Sequence, residues 1–553
     1  MRDRPLGSSG YSGGAVERAE RATPRTTAPA RPWHDVWPAH VPLSLDYPRV
    51  PAWWLLERNV GRFGDRVAIR ELDPETLAEG RTLSYEALFR AARGAAAGLR
   101  ARGIGDGARV AFCLPNSADL IVGYYATWLA GGIVVPANPL AHADELAGQL
   151  GDARPSVLIG GTGSSAEAVA RRLAVPFVER AAFRAMEACA PGAEAPCRPE
   201  EDVAVLLYTG GTTGTPKGAM LTHENLVANT VQFGEWYAFA PGEETSLCAI
   251  PMYHSGGMAG VMNVPLAAAA TLLVFPRFHA GGIARAVGRY RVTRLFGVPT
   301  MFIALLNDAE GRRADYSWLR ACRTNAAPLP PSVKAAFDAL VGREVLVEGY
   351  GLTETSPLTH ANPIERARAG SIGVPLPDTD ARIVGLETGR DVAPGESGEL
   401  LIRGPQVMKG YWGRPAETAR ALADGWLRTG DIAVMDGDGY FRIVDRKKDL
   451  INTAGFKVWP REVEEVLYAH PAVRLAVVVG VPDAYRGEAV KAYVVLKDAD
   501  RGRVSDRDLV EFCHARLTPY KVPRQVELRA ELPVTATGKI LRRMLRGEGG
   551  GER

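Results

Sequence analysis

Cysteine is scarce in this chain. Six residues, Cys113, Cys189, Cys197, Cys248, Cys322 and Cys513, are scattered over 553 positions without a single Cys-x-x-Cys pair. That spacing excludes a disulfide framework and a cysteine zinc site, and it points to a reducing, cytoplasmic setting. An excess of one charge is also missing. Lys and Arg number 66 against 63 Asp and Glu, a net charge of +3, so no overall field draws the chain to nucleic acid. The longest apolar stretch, Val264 to Pro276, is too short to cross a bilayer, and the N-terminus has no apolar core of a signal peptide. No segment repeats at a fixed period, which excludes a solenoid or propeller.

What is present reads as globular. With 46% hydrophobic and 23% charged residues the chain has material for roughly three or four domain-sized units. Residues 1–30 mix Gly, Ser, Pro, Arg and Ala without periodicity, and they are expected to form a disordered tail. From residue 84 helical and strand patterns alternate: Tyr85 to Arg102 helical, Val110 to Leu114 strand, Ala118 to Ala130 helical, Ile133 to Pro136 strand, Asp144 to Leu150 helical, Val157 to Gly160 strand. Further strands follow at Leu247 to Ile250, Leu272 to Phe275 and Arg294 to Val298. The pattern predicts an α/β fold with two doubly wound parallel sheets. From about 370 to 445 it gives way to short strands and turns, including Asp436-Gly437-Asp438-Gly439, which predicts a β-rich subdomain. After Arg446 come a helix at Pro460 to Ala469, strands at Ala476 to Val481 and Ala489 to Leu496, and a helix at Asp506 to Leu517. This order predicts a small α+β C-terminal domain over 448–553, behind a large N-terminal domain over 31–447.

Five stretches carry chemistry. Tyr208 to Gly218 reads YTGGTTGTPKG. It follows the apolar run Val203 to Leu207 and precedes a helical pattern from His223, so it is placed on a strand-to-helix loop. Gly210, Gly211, Gly214 and Gly218 open backbone N–H groups to close approach, and Thr209, Thr212, Thr213 and Thr215 add hydroxyls beside Lys217, as a polyphosphate cradle requires. A Walker A loop needs Gly-Lys followed by Ser or Thr; here Pro216 and Gly218 flank the lysine. Read alone, the string is equally a flexible surface loop. Glu348 to Thr355 reads EGYGLTET, after a predicted strand at Glu344 to Val347. Tyr350 offers a flat face to a purine, Thr353 a hydroxyl to a phosphate, and Glu354 a hard oxygen to Mg²⁺; a helix cap at Thr353 is the plainer alternative. Asp431, in DGWLRTGD, can accept from both ribose hydroxyls, although Gly-Asp is also ordinary turn chemistry. The basic run Arg446, Lys447, Lys448 alone is a solvated linker. Lys539, in PVTATGKILRR, alone is a basic surface residue beside Arg542 and Arg543.

Together these motifs resemble the adenylate-forming superfamily of acyl-CoA synthetases, luciferases and peptide-synthetase adenylation domains, over about residues 45 to 545. Glycine at position 210, where many members carry serine, resembles the fatty-acyl-CoA ligase branch, as do the segments MLTHENLVANT and VPDAYRGEAVKAYVVLKD. The resemblance implies ATP, Mg²⁺ and coenzyme A as cofactors and a small-molecule carboxylic acid as substrate. It assigns ATP binding to Thr209, Gly210, Gly211, Thr212, Thr213, Gly214 and Lys217, to the turn Asn325, Ala326, Ala327, Pro328, to Glu348, Tyr350 and Gly351, and to Asp431 and Arg446. Asn325 departs from the usual residue there. The catalytic set is Lys539, Glu354, Thr353 and His254, with Glu354 holding the metal. Lys448 is the hinge of the C-terminal domain and Gly455 lines the thiol tunnel; His254, Met258 and Val298 line the acyl pocket, which lacks the gating tryptophan some long-chain ligases have near Met258. The implied reaction joins a medium- or long-chain fatty acid to coenzyme A through an acyl-adenylate, with an aryl acid as the alternative substrate and a carrier protein as the alternative acceptor. Peripheral membrane contact and a homodimer are compatible with this reading.

Overall fold

A computed structural model describes residues 31–209, 216–483, 485–533 and 541–548 of the chain. The expected tail at 1–30 lies outside the described residues. The periodicities read from the sequence fold where they were placed, with ends differing by a few residues: helices Tyr85–Arg100 and Ala118–Leu129, strands Arg109–Cys113, Ile133–Pro136 and Val157–Gly160.

Two large sheets dominate. One has seven strands in the spatial order Gly410–Tyr411, Lys217–Thr222, Val203–Thr209, Ile133–Pro136, Arg109–Cys113, Val157–Gly160, Phe177–Glu179. The other has nine, with Val67–Leu72, Thr271–Val274, Thr245–Cys248, Arg294–Gly297, Ala321–Thr324 and Leu346–Gly351 side by side and parallel. Neither is parallel throughout. Lys217–Thr222 is antiparallel to both its neighbours, Val203–Thr209 and Gly410–Tyr411, and Leu358–Ala361 to both of its own, Leu346–Gly351 and Val374–Pro375. Edge strands need no crossover helix, so hairpin connections suffice there.

The helix Ala118–Leu129 explains how the sheets stay together. Every one of its residues is buried, as an all-round apolar helix must be. It packs with Tyr85–Arg100 in one core cluster that draws residues from both sheets, including Val110, Val134, Val205, Leu272 and Phe296. Its one carboxylate, Asp119, is fully buried and is met by Arg81 at 2.8 Å, Arg184 at 2.6 Å and Arg180. Three guanidinium groups supply what solvent no longer does, and hold the carboxyl below its ordinary range against the opposing effect of burial.

The β-rich region forms a five-stranded sheet of Asp380–Val384, Ser397–Arg403, Leu422–Ala423, Trp426–Met435 and Phe441–Arg446. The turn at Asp436 to Gly439 closes its last hairpin, as predicted. Two short strands from the same region serve the large sheets instead: Val374–Pro375 and Gly410–Tyr411. The last unit is a five-stranded sheet built on the long antiparallel pair Val473–Asp483 and Gly487–Leu496, covered by helices Pro460–Tyr468 and Asp506–His514 around its own core.

Candidate functional site

The glycine- and threonine-rich stretch is a hairpin loop, not a strand-to-helix loop. Val203–Thr209 runs antiparallel to Lys217–Thr222, with Thr209 opposite Lys217 and Tyr208 opposite Gly218, and the helix His223–Trp236 starts only after the second strand. That strand is six residues long and enters directly from Pro216, so its short apolar run merged with the loop in the sequence reading. Gly210, Gly211, Thr212, Thr213 and Gly214 lie outside the described residues. Lys217, at the loop's end, forms an ion pair with Glu417 and stands 5.3 Å from the Tyr411 ring centre.

Tyr411 had no role in the sequence reading, yet it joins two of the motifs. Its backbone pairs with Ala219 beside the phosphate-loop hairpin, and its hydroxyl donates to Glu354 Oε1 at 2.8 Å. The Met408 N–H also donates to the backbone carbonyl of Glu354, at 2.8 Å. Glu354 sits in the 3₁₀ turn Thr353–Thr355, partly exposed, with Thr353 beside it. The preceding EGYG does not form a loop after a strand. It is the second half of the strand Leu346–Gly351, where the partner changes from parallel, Glu348 opposite Thr324, to antiparallel, Gly349 opposite Ala361. Among the described residues no cluster of three or more His, Cys, Asp or Glu could hold a metal by itself. A single carboxylate suits Mg²⁺ that arrives on substrate phosphates and keeps several waters.

Tyr350, Asp431 and Arg446, distant in the chain, meet one another. Asp431 is 4% exposed and accepts from the Tyr350 hydroxyl at 2.6 Å. It also lies directly across the antiparallel pair from Arg446, whose Nε is 3.3 Å from Oδ1. Burial, then the Asp431 charge, pushes the Tyr350 hydroxyl well above its ordinary range, so it stays a donor. The turn from Asn325 to Pro328 lies alongside. Ala326 has φ +73°, an unusual backbone for a residue with a Cβ, and the Asn325 side chain comes within 3.2 Å of where a Cβ on Gly349 would stand. The Leu329 N–H donates to Glu348 Oε2 at 3.2 Å, but burial outweighs this bond and pushes the Glu348 carboxyl up to about 7.

On the same side of the nine-stranded sheet, His254 opens a helical run through Ser255–Gly257, Met258–Asn263 and Val264–Ala267. Its ring lies 4.8 Å from that of Tyr253, and desolvation pulls the imidazole down to about 4, so it is neutral near pH 7. Met258 is fully buried one turn later, and Val298 follows the strand Arg294–Gly297 at its carboxyl end.

Lys448 occupies the 3₁₀ turn Lys447–Asp449, between the last strand of the β-rich sheet and the C-terminal unit. Gly455 has φ +84° and Ala454 +51° in the two-residue turn joining Ile451–Thr453 to Phe456–Val458. Such a turn requires positive φ at both central positions, which accounts for the glycine locally. Lys539 lies outside the described residues, and its described neighbours in the chain are Pro533 before it and Leu541 after it. The Leu541 N–H donates to the Pro533 carbonyl at 2.8 Å, and Arg542 pairs with Glu464 at 2.6 Å, Asp445 at 3.4 Å and Asp449 at 3.6 Å. Arg542 is therefore not a solvated surface cation.

Residues 56–412 match the model of the AMP-binding enzyme family, and residues 462–539 match that of the AMP-binding enzyme C-terminal domain. The chain belongs to the AMP-binding enzyme family. It is 40% identical to the long-chain-fatty-acid–CoA ligase of Bacillus subtilis, over 93% of this chain and 97% of that one. It is 41% identical to a feruloyl-CoA synthase of an Amycolatopsis species, over 84% and 93% respectively. The crystal structure of ATP-bound MatB from Rhodopseudomonas palustris matches with a TM-score of 0.82 at 31% identity, covering 90% of this chain and 99% of that one. Tyr350 brings Asp431, and with it Arg446, to the carboxyl end of the strand Leu346–Gly351, the end at which open α/β sheets bind ligands. No helix among the described residues is long and apolar enough to cross a membrane.

Proposed function

We propose that this chain is an AMP-forming acid–thiol ligase that activates a medium- or long-chain fatty acid. The acid's carboxylate oxygen attacks the α-phosphorus of ATP and pyrophosphate leaves; the thiolate of coenzyme A then attacks the acyl carbon and AMP leaves. The observation that carries the reading is the buried Asp431, set between Tyr350 and Arg446 with one oxygen engaged by each. A carboxylate held rigidly in this way is pre-organised to accept ribose hydroxyls, while Tyr350 places its ring beside the purine. Glu354, oriented by Tyr411, would hold Mg²⁺, which would supply positive charge to offset that of the phosphates. Thr209, Lys217 and the loop between them hold the departing phosphates. Lys539 pairs with the acid and the α-phosphate during adenylation. The C-terminal unit then turns about Lys448, withdrawing Lys539 and bringing the Gly455 turn to line the thiol's path.

Pyrophosphate release with Mg-ATP and a panel of acids tests the reading, and no release with any acid overturns it. An aryl acid is the second candidate, favoured by the likeness to the feruloyl-CoA synthase. Cinnamic acids in the same panel decide between them, and replacing coenzyme A with a phosphopantetheinylated carrier protein decides the acceptor.

A further inference from the structure

Beside the helical run that carries His254 and Met258 stands a buried cation with no counter-ion among the described residues. Arg323 is 5% exposed and lies directly across the parallel strands from Phe296, just before the Asn325 to Pro328 turn. Successive residues of a strand face opposite ways. Cys322 packs into the core among Phe302 and Phe337, and Arg323 faces the other way, toward the helical run that begins at His254. Its guanidinium carbon lies 3.7 Å from the centre of the Phe233 ring, 3.8 Å from Phe296 and 5.5 Å from Tyr237. Among the described residues Nε and Nη1 have no hydrogen-bond partner.

The surroundings are shaped to admit this group. A Cβ on Gly260 would stand 2.4 Å from Nη2 and 2.9 Å from the Phe296 ring, so glycine is what leaves room for the guanidinium on the helix that carries His254 and Met258. Two further buried polar groups nearby in the fold have no partner among the described residues: the Tyr237 hydroxyl, and both ends of the Asn263 amide, three residues beyond Gly260. A lone buried charge is strongly unfavourable, and breaking its pairing is worse than never having had it. Aromatic contacts stabilise the flat face of a guanidinium but satisfy none of its N–H groups.

We propose that Arg323 is the receptor for a second carboxylate on the acid substrate, so that the chain activates a fatty diacid held at its far end while its near end is adenylated. The planar N–H fork matches a carboxylate in two parallel hydrogen bonds, which gain strength in a dry site. Tyr237 and Asn263 complete the recognition. A plain methyl end leaves the guanidinium unpaired, and a site built around a polar partner discriminates strongly against an analogue that lacks it. The inference rests on the ligase reading for its reaction, but not for its binding.

The test pairs each α,ω-diacid from succinate to dodecanedioate with the monoacid of equal carbon number, in wild type, Arg323→Met and Arg323→Lys. Pyrophosphate release and ligand-induced thermal shift are both measured. For the best-fitting length, wild type should prefer the diacid by about a hundredfold or more in kcat/KM. Arg323→Met, which keeps the volume and removes the charge, should abolish or invert that preference, and Arg323→Lys should fall between. The diacid should raise the melting temperature of wild type and not of Arg323→Met. A wild type that prefers monoacids at every length overturns the proposal. So does an Arg323→Met variant that loses both substrates equally, which would make Arg323 a purely structural cation. Should no acid be turned over, the ligase reading falls and the thermal shift alone decides the receptor: stabilisation by a diacid that is lost in Arg323→Met supports it, and none in wild type overturns it.

Discussion

Replacing Asp431 by Asn separates a ribose ligand from a structural carboxylate. The substitution keeps the shape and one acceptor oxygen, so the Tyr350 hydroxyl, now 2.6 Å away, can still donate. The charge facing Arg446 at 3.3 Å is lost, together with one of the two oxygens offered to the sugar. A hydrogen bond involving a charged group contributes about 1.5–3 kcal/mol. Losing one such bond to ribose, with weaker ordering of Arg446, predicts about 2–4 kcal/mol less transition-state stabilisation, a fall of roughly 30- to 1,000-fold in kcat/KM for ATP. Tyr350→Phe is the control. It removes the hydroxyl but leaves the ring and the charge, so it should lower stability by about 1 kcal/mol while changing kcat/KM for ATP by less than about tenfold. The assay is pyrophosphate release at varied ATP and saturating acid, with thermal denaturation of each variant alongside. If Asp431→Asn melts lower yet keeps the wild-type ATP dependence, the carboxylate serves only the fold and the ribose assignment is wrong.

Other outcomes follow from neighbouring residues. Lys539→Ala should slow adenylation by about 10²–10³-fold and leave thioester formation from supplied acyl-adenylate nearly unchanged; equal loss in both half-reactions would refute the proposed domain rotation. Tyr411→Phe removes the donor that orients Glu354, and should raise the Mg²⁺ concentration for half-maximal pyrophosphate release about three- to tenfold, at a cost near 1 kcal/mol in stability; an unaltered Mg²⁺ dependence would show that Tyr411 orients nothing. Burial holds the Glu348 carboxyl at about 7 instead of its ordinary 4.5, so the folded state takes up a proton that the unfolded state lacks. Its stabilising share is complete below about pH 4.5 and is lost as pH rises through about 7. Glu348→Gln should remove that loss, of order 3 kcal/mol, and flatten the stability profile in urea titrations over this interval; parallel profiles would place the raised carboxyl elsewhere.

How much of the site could be read in advance depends on whether its parts are local. The hairpin turn at Asp436 to Gly439 is set by neighbouring residues and is legible in the sequence, whereas Gly455 was assigned only by resemblance and its positive-φ turn came from the structure. The alternating helices and strands of the large sheets are legible too, because a period of 3.6 or 2 is written in adjacent side chains. The hairpin around the phosphate loop is not. Its second strand is short and follows glycine and proline, so nothing in the window separated it from the loop. Tyr411 escaped for a different reason: its partner Glu354 is 57 residues away, and an aromatic before a helical stretch has no distinguishing pattern.

The sequence alone determined the type of most elements of the large sheets and the set of polar residues able to handle a nucleotide, since these depend on local backbone preference and side-chain chemistry. Tertiary structure decided which of them meet. Asp431 reaches Tyr350 across 81 positions because the β-rich sheet docks beside the nine-stranded one. Arg323 became a buried charge, with no counter-ion among the described residues, only once Phe233 and Phe296 closed around it. The sign and strength of a charge's influence are set by what surrounds it, and burial is a property of the packed molecule that no stretch of chain holds by itself.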